Sequence, residues 1–471
     1  MPLRSLGKTK GFGCDFRPPE PTPYHEYDAT RFGEARRSHV TLSTLIKDLK
    51  EYSVSPRLSY DEKTLRKAIT ITADQFRLPQ RQPITHLCDV FELDLNVWRS
   101  SPGVPFRDQG FKTKGEVRDS AKARTSIRTY WSMVKSGKKM KPPTSLAFAR
   151  SHIVKGDKPD KVRAVWCYPM TMVMGEVSMG YQLLQAYKKG GTPIAYGYEL
   201  GRGGFARLSQ DVAFGKSYCL DFKKFDKTIA NRFTDIAFNI LAENIDFGAY
   251  HGYGVPDAQE ISRMWAHIVE YFKNTTVLTP DGELWLKSGG IPSGSYFTSL
   301  VGSIVNALVL NYTWIKLCGK PPHYLRVFGD DSVICHRGTL DMCDLVSCCS
   351  EMGLTVNAEK STITNGAAGI KFLGFEIRGL RPYKPLSEWM QSLCFPERPD
   401  QSIDDYYSRT LGLMYANLGL CSEFHDLCER ILKGKVFNLQ LTRTLERNFD
   451  AQGLAIEMRI PRSSDFWTLL W

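Results

Sequence analysis

Three carboxylates stand where chemistry could be done. Asp330 and Asp331 are adjacent in the run YLRVFGDDSVICH (Tyr324–His336), and Asp221 lies more than a hundred residues earlier in SYCLDFKKFDKTI. Clustered aspartates repel and raise each other's pKa unless a cation neutralises them. Carboxylates at the ends of neighbouring strands offer the oxygen ligands that Mg²⁺ prefers, with water and substrate phosphates completing its shell. Two such ions about 3.5 to 4 Å apart activate an attacking hydroxyl and steady a leaving oxygen, which is the chemistry of phosphoryl transfer. Taken alone, Gly329-Asp330-Asp331 is equally a hairpin capped by ordinary turn residues.

The elements that must position these acids are legible in outline. Apolar and β-branched residues on both sides of Gly329 predict two short strands joined by a tight turn. SYCLDFKKFDKTI predicts a strand that breaks at Asp221, followed by a helix through Asn231 to Ala242. In KPDKVRAVWCYP, Lys161, Arg163 and Val165 alternate with Val162, Ala164 and Trp166, which as a strand shows cations on one face and an anchor on the other. An edge strand with exposed charges has the same pattern. TTVLTPDGELWLKSGG predicts a hairpin turning at Pro280 to Gly282. From Thr298 the spacing is helical: Leu300, Ile304 and Leu308, with Val301, Val305 and Val309, make a wide apolar stripe. Thr298, Gly302 and Asn306, beside Ser295, Ser299 and Ser303, make a small polar face suited to close packing or to a ligand. Beyond the acids the pattern predicts a helix over 338–352, a strand at Leu354 to Val356, a strand over KFLGFEIRG, a linker at RPYKPL and a mostly helical lobe over 388–471. The first hundred residues mix Pro-rich turns with short helices such as Thr41 to Tyr52.

A chain of 471 residues exceeds what one hydrophobic core usually supports, so two or three lobes are expected. The net charge of +12 is local: Arg99 to Arg163 holds 17 basic and 5 acidic residues, the whole excess. Aromatics interleave there (Phe106, Phe111, Tyr130, Trp131). This composition suits single-stranded nucleic acid, a solvated charged face being the plainer alternative. Twelve cysteines contain no CxxC pair, and Cys343, Cys348 and Cys349 match no zinc spacing, so reduced thiols are expected. The N-terminus lacks the apolar core of a secretory signal. The longest charge-free stretch, Ser288 to Ile315, carries Ser, Thr and Asn throughout, and no membrane association is expected.

DFKKFD, GGIPSGSYFTSLVGSIVN, FGDDSVI, NAEKS and FLGF occur in the order and spacing of motifs A to E of viral RNA-dependent RNA polymerases, which the chain resembles from Ser100 to about Gly379. KPDKVRAVWCYP looks like the basic motif F, and SSPGVPF like motif G. RAVWCYP and PSGSYFTSLV most resemble polymerases of segmented double-stranded RNA viruses, partitiviruses first and picobirnaviruses second.

That resemblance implies an α+β right-hand polymerase with fingers, a palm whose mostly antiparallel sheet is backed by helices, and a thumb. The implied division is fingers over 1–180, palm over 181–270, a fingers insertion over 271–290, palm again over 291–379 and a mostly helical thumb over 380–471. It implies two Mg²⁺ or Mn²⁺ ions on Asp221, Asp330 and Asp331, with Asp331 the more replaceable ligand. Lys360 would protonate pyrophosphate as general acid; alone it reads as a surface lysine. Arg163 and Lys161, with Lys155 and Lys158, would clamp the incoming triphosphate. Asp226, Ser293, Gly294, Thr298 and Asn306 would surround the ribose, although many positive-strand virus polymerases carry the asparagine where this chain has Gly302. A hydrogen-bonding Asp226 at the 2′-hydroxyl argues against a reverse transcriptase, which excludes that hydroxyl with a bulky aromatic. Ser101, Pro102 and Gly103 would face the template, and Phe372, Leu373 and Gly374 the primer side. Implied partners are template and product RNA, NTPs and a capsid protein, in the virion interior or host cytoplasm. A non-catalytic RNA-binding protein with the same palm would explain the basic segment but has no need of Asp221, Asp330 and Lys360 together.

Overall fold

The computed structural model describes residues 3–53, 56–442 and 459–470, with Leu445, Glu446, Phe449, Gln452 and Leu454 between them. Its centre is a four-stranded antiparallel sheet in the order Tyr324–Phe328, Asp331–His336, Lys216–Cys219, Thr362–Asn365. Strand alternation sends successive side chains to opposite faces. Tyr218 and Ile334 enter the larger apolar core, while Cys219, Val333 and Cys335 enter a second one. The sheet is therefore covered on both faces.

The helix Thr298–Cys318 fills much of the first core, and Leu300 through Ile315 are buried. Its predicted apolar stripe is in place, and Gly302, Ser303 and Asn306 of the small polar face are buried too while Ser299 is exposed; a Cβ on Gly302 would lie 3.5 Å from the Gly329 Cα. Trp314 packs edge-on against Tyr218 with ring centroids 5.4 Å apart. The helix is long and apolar enough to cross a membrane, yet nearly all of it is enclosed by protein.

A second sheet runs Leu3–Lys8, Glu283–Lys287, Thr276–Leu278, Ser145–Ser151, Val162–Cys167. It joins the N-terminus to the predicted 276–287 hairpin and to the basic strand. On that strand Val162, Ala164 and Trp166 are buried and Arg163 is exposed, the alternation expected from KVRAVW. Close approach ties this strand to the segment before the long helix. A Cβ on Gly294 would stand 1.9 Å from the Trp166 carbonyl oxygen, so only glycine fits.

Several expectations are corrected. KFLGFEIRG is not one strand but a hairpin, Lys371–Phe372 against Phe375–Arg378, because Leu373 and Gly374 both adopt positive φ (48° and 80°). RPYKPL is not a linker, since Arg381–Tyr383 adds a third strand to that hairpin. The helix expected over 338–352 begins at Met342, where the Asp341 side chain caps it. The C-terminal helices Leu386–Cys394, Ile403–Asn417 and Ser422–Leu432 are not a lobe with its own core. Trp389, Leu411 and Phe424 share the second core with Cys219 and Val333 of the central sheet.

Gly294→Ala forces the Trp166 carbonyl away and should destabilise the protein by about 1 to 3 kcal/mol. Thermal unfolding checks this as a lowered Tm, with Gly248→Ala as the control, because Gly248 lies outside the left-handed region and a Cβ there comes no closer than 3.4 Å to the Asp246 carboxylate.

Candidate active site

Register alone brings the acids together. Lys216 pairs with His336 and Tyr218 with Ile334, and continuing that count sets position 221 level with 331. Phe328 pairs with Asp331, so Gly329 and Asp330 form a two-residue turn, with Gly329 at φ 62° in the left-handed region. Asp221, Asp330, Asp331 and Lys360 line one cleft of about 550 Å³, with Lys371 and Leu373 on its wall. Asp331 keeps accessible surface but sits against a concave wall. Its carboxyl is pushed up to about 6, first by desolvation and then by Asp330 and Asp221, against the Leu373 N–H that donates to it.

Neutral polar groups hold these charges in place. The Ser303 hydroxyl accepts from Gly329 N (2.9 Å), and Asn306 Nδ2 donates to the carbonyls of Gly329 (3.0 Å) and Asp331 (3.3 Å). Asn306 is fully buried. The resemblance sets it at the ribose; in the structure the long helix packs so closely on the acidic turn that the amide hydrogens serve the turn's backbone. Thr298 is engaged as well, donating to the carbonyls of Pro292 (2.6 Å) and Ser295 (2.8 Å). Ser293 is exposed, and its hydroxyl accepts from Trp166 N (3.1 Å), beside the Gly294 contact.

The cationic strand faces the acids. The Lys161 pKa is lowered by burial first, then by Arg163 and Lys360, with Asp221 opposing, which sets these groups within electrostatic reach of one another. Asp226 follows Asp221 on the short helix Phe225–Thr228, and burial raises its pKa against the pull of Lys227 and Arg163. Its Oδ2 accepts from the Tyr52 hydroxyl (3.3 Å). Lys155 and Lys158 are set apart: Ile153–Lys155 pairs with Ala35–Arg37, and the Arg36 guanidinium donates to the Lys158 carbonyl (2.9 Å). Ser101, Pro102 and Gly103 pack beside the end of the basic strand, where Met170 N donates to the Pro102 carbonyl (2.8 Å). Gly103 has φ 67°, and a Cβ there would meet the Pro169 Cα at 3.0 Å. Phe372 is buried, and Leu373 and Gly374 form the hairpin tip on the cleft wall.

Sequence reasoning missed the residues that brace this arrangement. Asp48, on the helix Leu42–Lys50, accepts from Ala164 N (2.7 Å) of the basic strand and pairs with buried Lys227, which also donates to Glu51 (2.7 Å). One N-terminal helix thus locks the cationic strand to the Asp221–Asp226 segment. Glu176 is fully buried and accepts from Ser295 Oγ and Tyr296 N, both at 2.7 Å; burial pushes its carboxyl up to about 8. Lys287 donates to the carbonyls of Phe272 (2.8 Å), Gly289 (2.9 Å) and Gly290 (3.0 Å), and burial lowers it to about 7. Lys227 beside Asp226 and Lys287 just before Gly289 and Gly290 were the local signals; Asp48 and Glu176 are distant in sequence from what they hold.

Acids converging from two antiparallel strands, backed by a helix and faced by a cationic strand, define a palm-type polymerase fold. The family described as viral RNA-dependent RNA polymerase matches residues 19–429, and the chain belongs to that family. Relatives include proteins named RNA-directed RNA polymerase from Atkinsonella hypoxylon virus (27% identical, 70% of this chain and 54% of that protein) and Cryptosporidium parvum virus 1 (26%, 75% and 67%). A third, from White clover cryptic virus 1, is 24% identical over 58% of this chain and 48% of its own length. The chain spans about half to two thirds of the length of these relatives.

The raised Asp331 pKa has a stability consequence of definite sign. The folded state binds this proton more tightly than the unfolded chain, so stability is fully present below about pH 4 and is lost as pH rises through about 6. In metal-free buffer, Asp331→Asn should therefore show a higher Tm than the parent at pH 7.5. Melting curves across pH should show that gain shrinking toward pH 4.

Proposed function

We propose that the chain is the catalytic core of an RNA-directed RNA polymerase that replicates and transcribes a viral RNA genome. It directs attack of a 3′-hydroxyl on the α-phosphate of a templated NTP, with pyrophosphate leaving. The observation that carries this reading is the single cleft lined by Asp221, Asp330, Asp331 and Lys360. The donor set fits divalent cations: three mutually repelling carboxylates offer hard oxygens. Among the described residues no three acidic, cysteine or histidine side chains form a ready cage, so water and triphosphate oxygens would complete the shell. Two bound Mg²⁺ or Mn²⁺ ions would activate the hydroxyl and neutralise charge on the leaving oxygen.

The protein's own groups supply the rest. Arg163 and Lys161 meet triphosphate charge from the cationic strand, and Lys360 gives a proton to pyrophosphate. Asp226 accepts from the ribose 2′-hydroxyl, with Ser293 exposed beside it. Asn306 holds the acidic turn. In the right-hand description the central sheet and long helix are palm, the second sheet belongs to the fingers, and the helices from Leu386 onward form the thumb. Template would run past Ser101–Gly103, and the Phe372–Gly374 tip would face the primer strand. Kinship with viral polymerases supports a capsid protein as partner and the virion interior or host cytoplasm as the setting.

Asp330→Asn should abolish NTP incorporation on homopolymer RNA while RNA binding changes less than about threefold; full activity in that variant would sink the assignment. Asp226→Ala should narrow the preference for NTPs over dNTPs in a nucleotide-competition assay, by about tenfold for loss of one substrate hydrogen bond.

A further inference from the structure

Lys360 and Asp221 are fastened to each other through Asn357 and Ser361. Asn357 donates twice to Asp221, from its backbone N to the carbonyl (2.7 Å) and from Nδ2 to Oδ2 (3.0 Å). Ser361 closes the ring, its hydroxyl accepting from Asp221 N (3.0 Å) and donating to the Asn357 carbonyl (2.9 Å). That carbonyl also accepts from Lys360 N (3.1 Å) and Ser361 N (2.9 Å), the turn that presents Lys360 to the cleft. The ring extends an existing ladder, for Thr355 pairs with Lys223 and Val356 with Phe222.

The residue type matters. Among the described residues, Asn357 is the side chain that donates a hydrogen bond to the Asp221 carboxylate. An amide orients that anion without neutralising it, whereas a cation would compete with a metal and another acid would add to the repulsion of Asp330 and Asp331. Donors behind a ligating carboxylate commonly tune cation affinity by 10- to 100-fold.

We propose that Asn357 is a positioning residue: it sets the Asp221 carboxylate for a divalent cation and, through the ring with Ser361, holds Lys360 in register with that acid. The proposal rests on the polymerase reading. It is tested on the full chain with Asn357→Ala and Asn357→Leu; the second keeps side-chain volume without the donor, should the first fail to fold. Mn²⁺ binding is titrated calorimetrically without nucleotide, and single-nucleotide addition is measured alongside. The expected result is Mn²⁺ affinity weakened about tenfold or more and kcat lowered about 10- to 100-fold, with KM for NTP and RNA affinity within about threefold. Unchanged Mn²⁺ affinity in a folded variant overturns the proposal, whatever happens to turnover. The two readings separate cleanly. A parent protein that adds no nucleotide, and binds Mn²⁺ no better than Asp221→Asn, refutes the polymerase reading. An active parent with indifferent Asn357 variants refutes only this inference.

Discussion

Mutual repulsion among Asp221, Asp330 and Asp331 is the constraint on which the remaining structure depends. Left to themselves, three carboxylates facing one partly desolvated cleft would separate or take up protons. They stay because their positions are dictated by backbone: two by a two-residue turn in a hairpin, one by a neighbouring strand in fixed register. Antiparallel pairing tolerates no half-steps, since a one-residue slip would turn each acid to the opposite face.

Around this repulsion the protein arranges neutral polar groups close in and full charges further out. Asn306, Asn357 and the Leu373 N–H donate to the acids or to the backbone of their turn, the Ser303 hydroxyl accepts from Gly329 N, and all leave the net negative charge intact. Charges that brace the scaffold are buried and matched elsewhere, as with Lys227 between Asp48 and Glu51 and Lys287 among backbone carbonyls. Removing one partner of such a buried pair strands the other in low dielectric, which penalises any drift in the geometry. The helix Leu42–Lys50 thereby contributes to the site without lining the cleft.

Much of this was legible beforehand because its signals are local. Strand alternation in KVRAVW, the four-residue spacing from Leu300 to Val309 and the Gly-Asp-Asp turn each depend on neighbours within one element, and each appears as expected. The expectations that failed are those where backbone pairing overrode the side-chain pattern. KFLGFEIRG reads as one strand until Leu373 takes positive φ at the tip of a hairpin, and RPYKPL reads as a linker until Arg381–Tyr383 pairs with that hairpin.

The sequence by itself determined the chemistry on offer: three acids, a lysine and a cationic strand whose residue types allow metal-assisted phosphoryl transfer. It also determined the strands and helix that carry them, because period-two and period-3.6 patterns are properties of consecutive residues. Only the tertiary structure decided which groups meet. Hydrogen bonds such as Asn357 to Asp221 and Asp48 to Ala164 N span more than a hundred positions. No local pattern encodes their partners, because each bond joins elements that only the packed fold brings together.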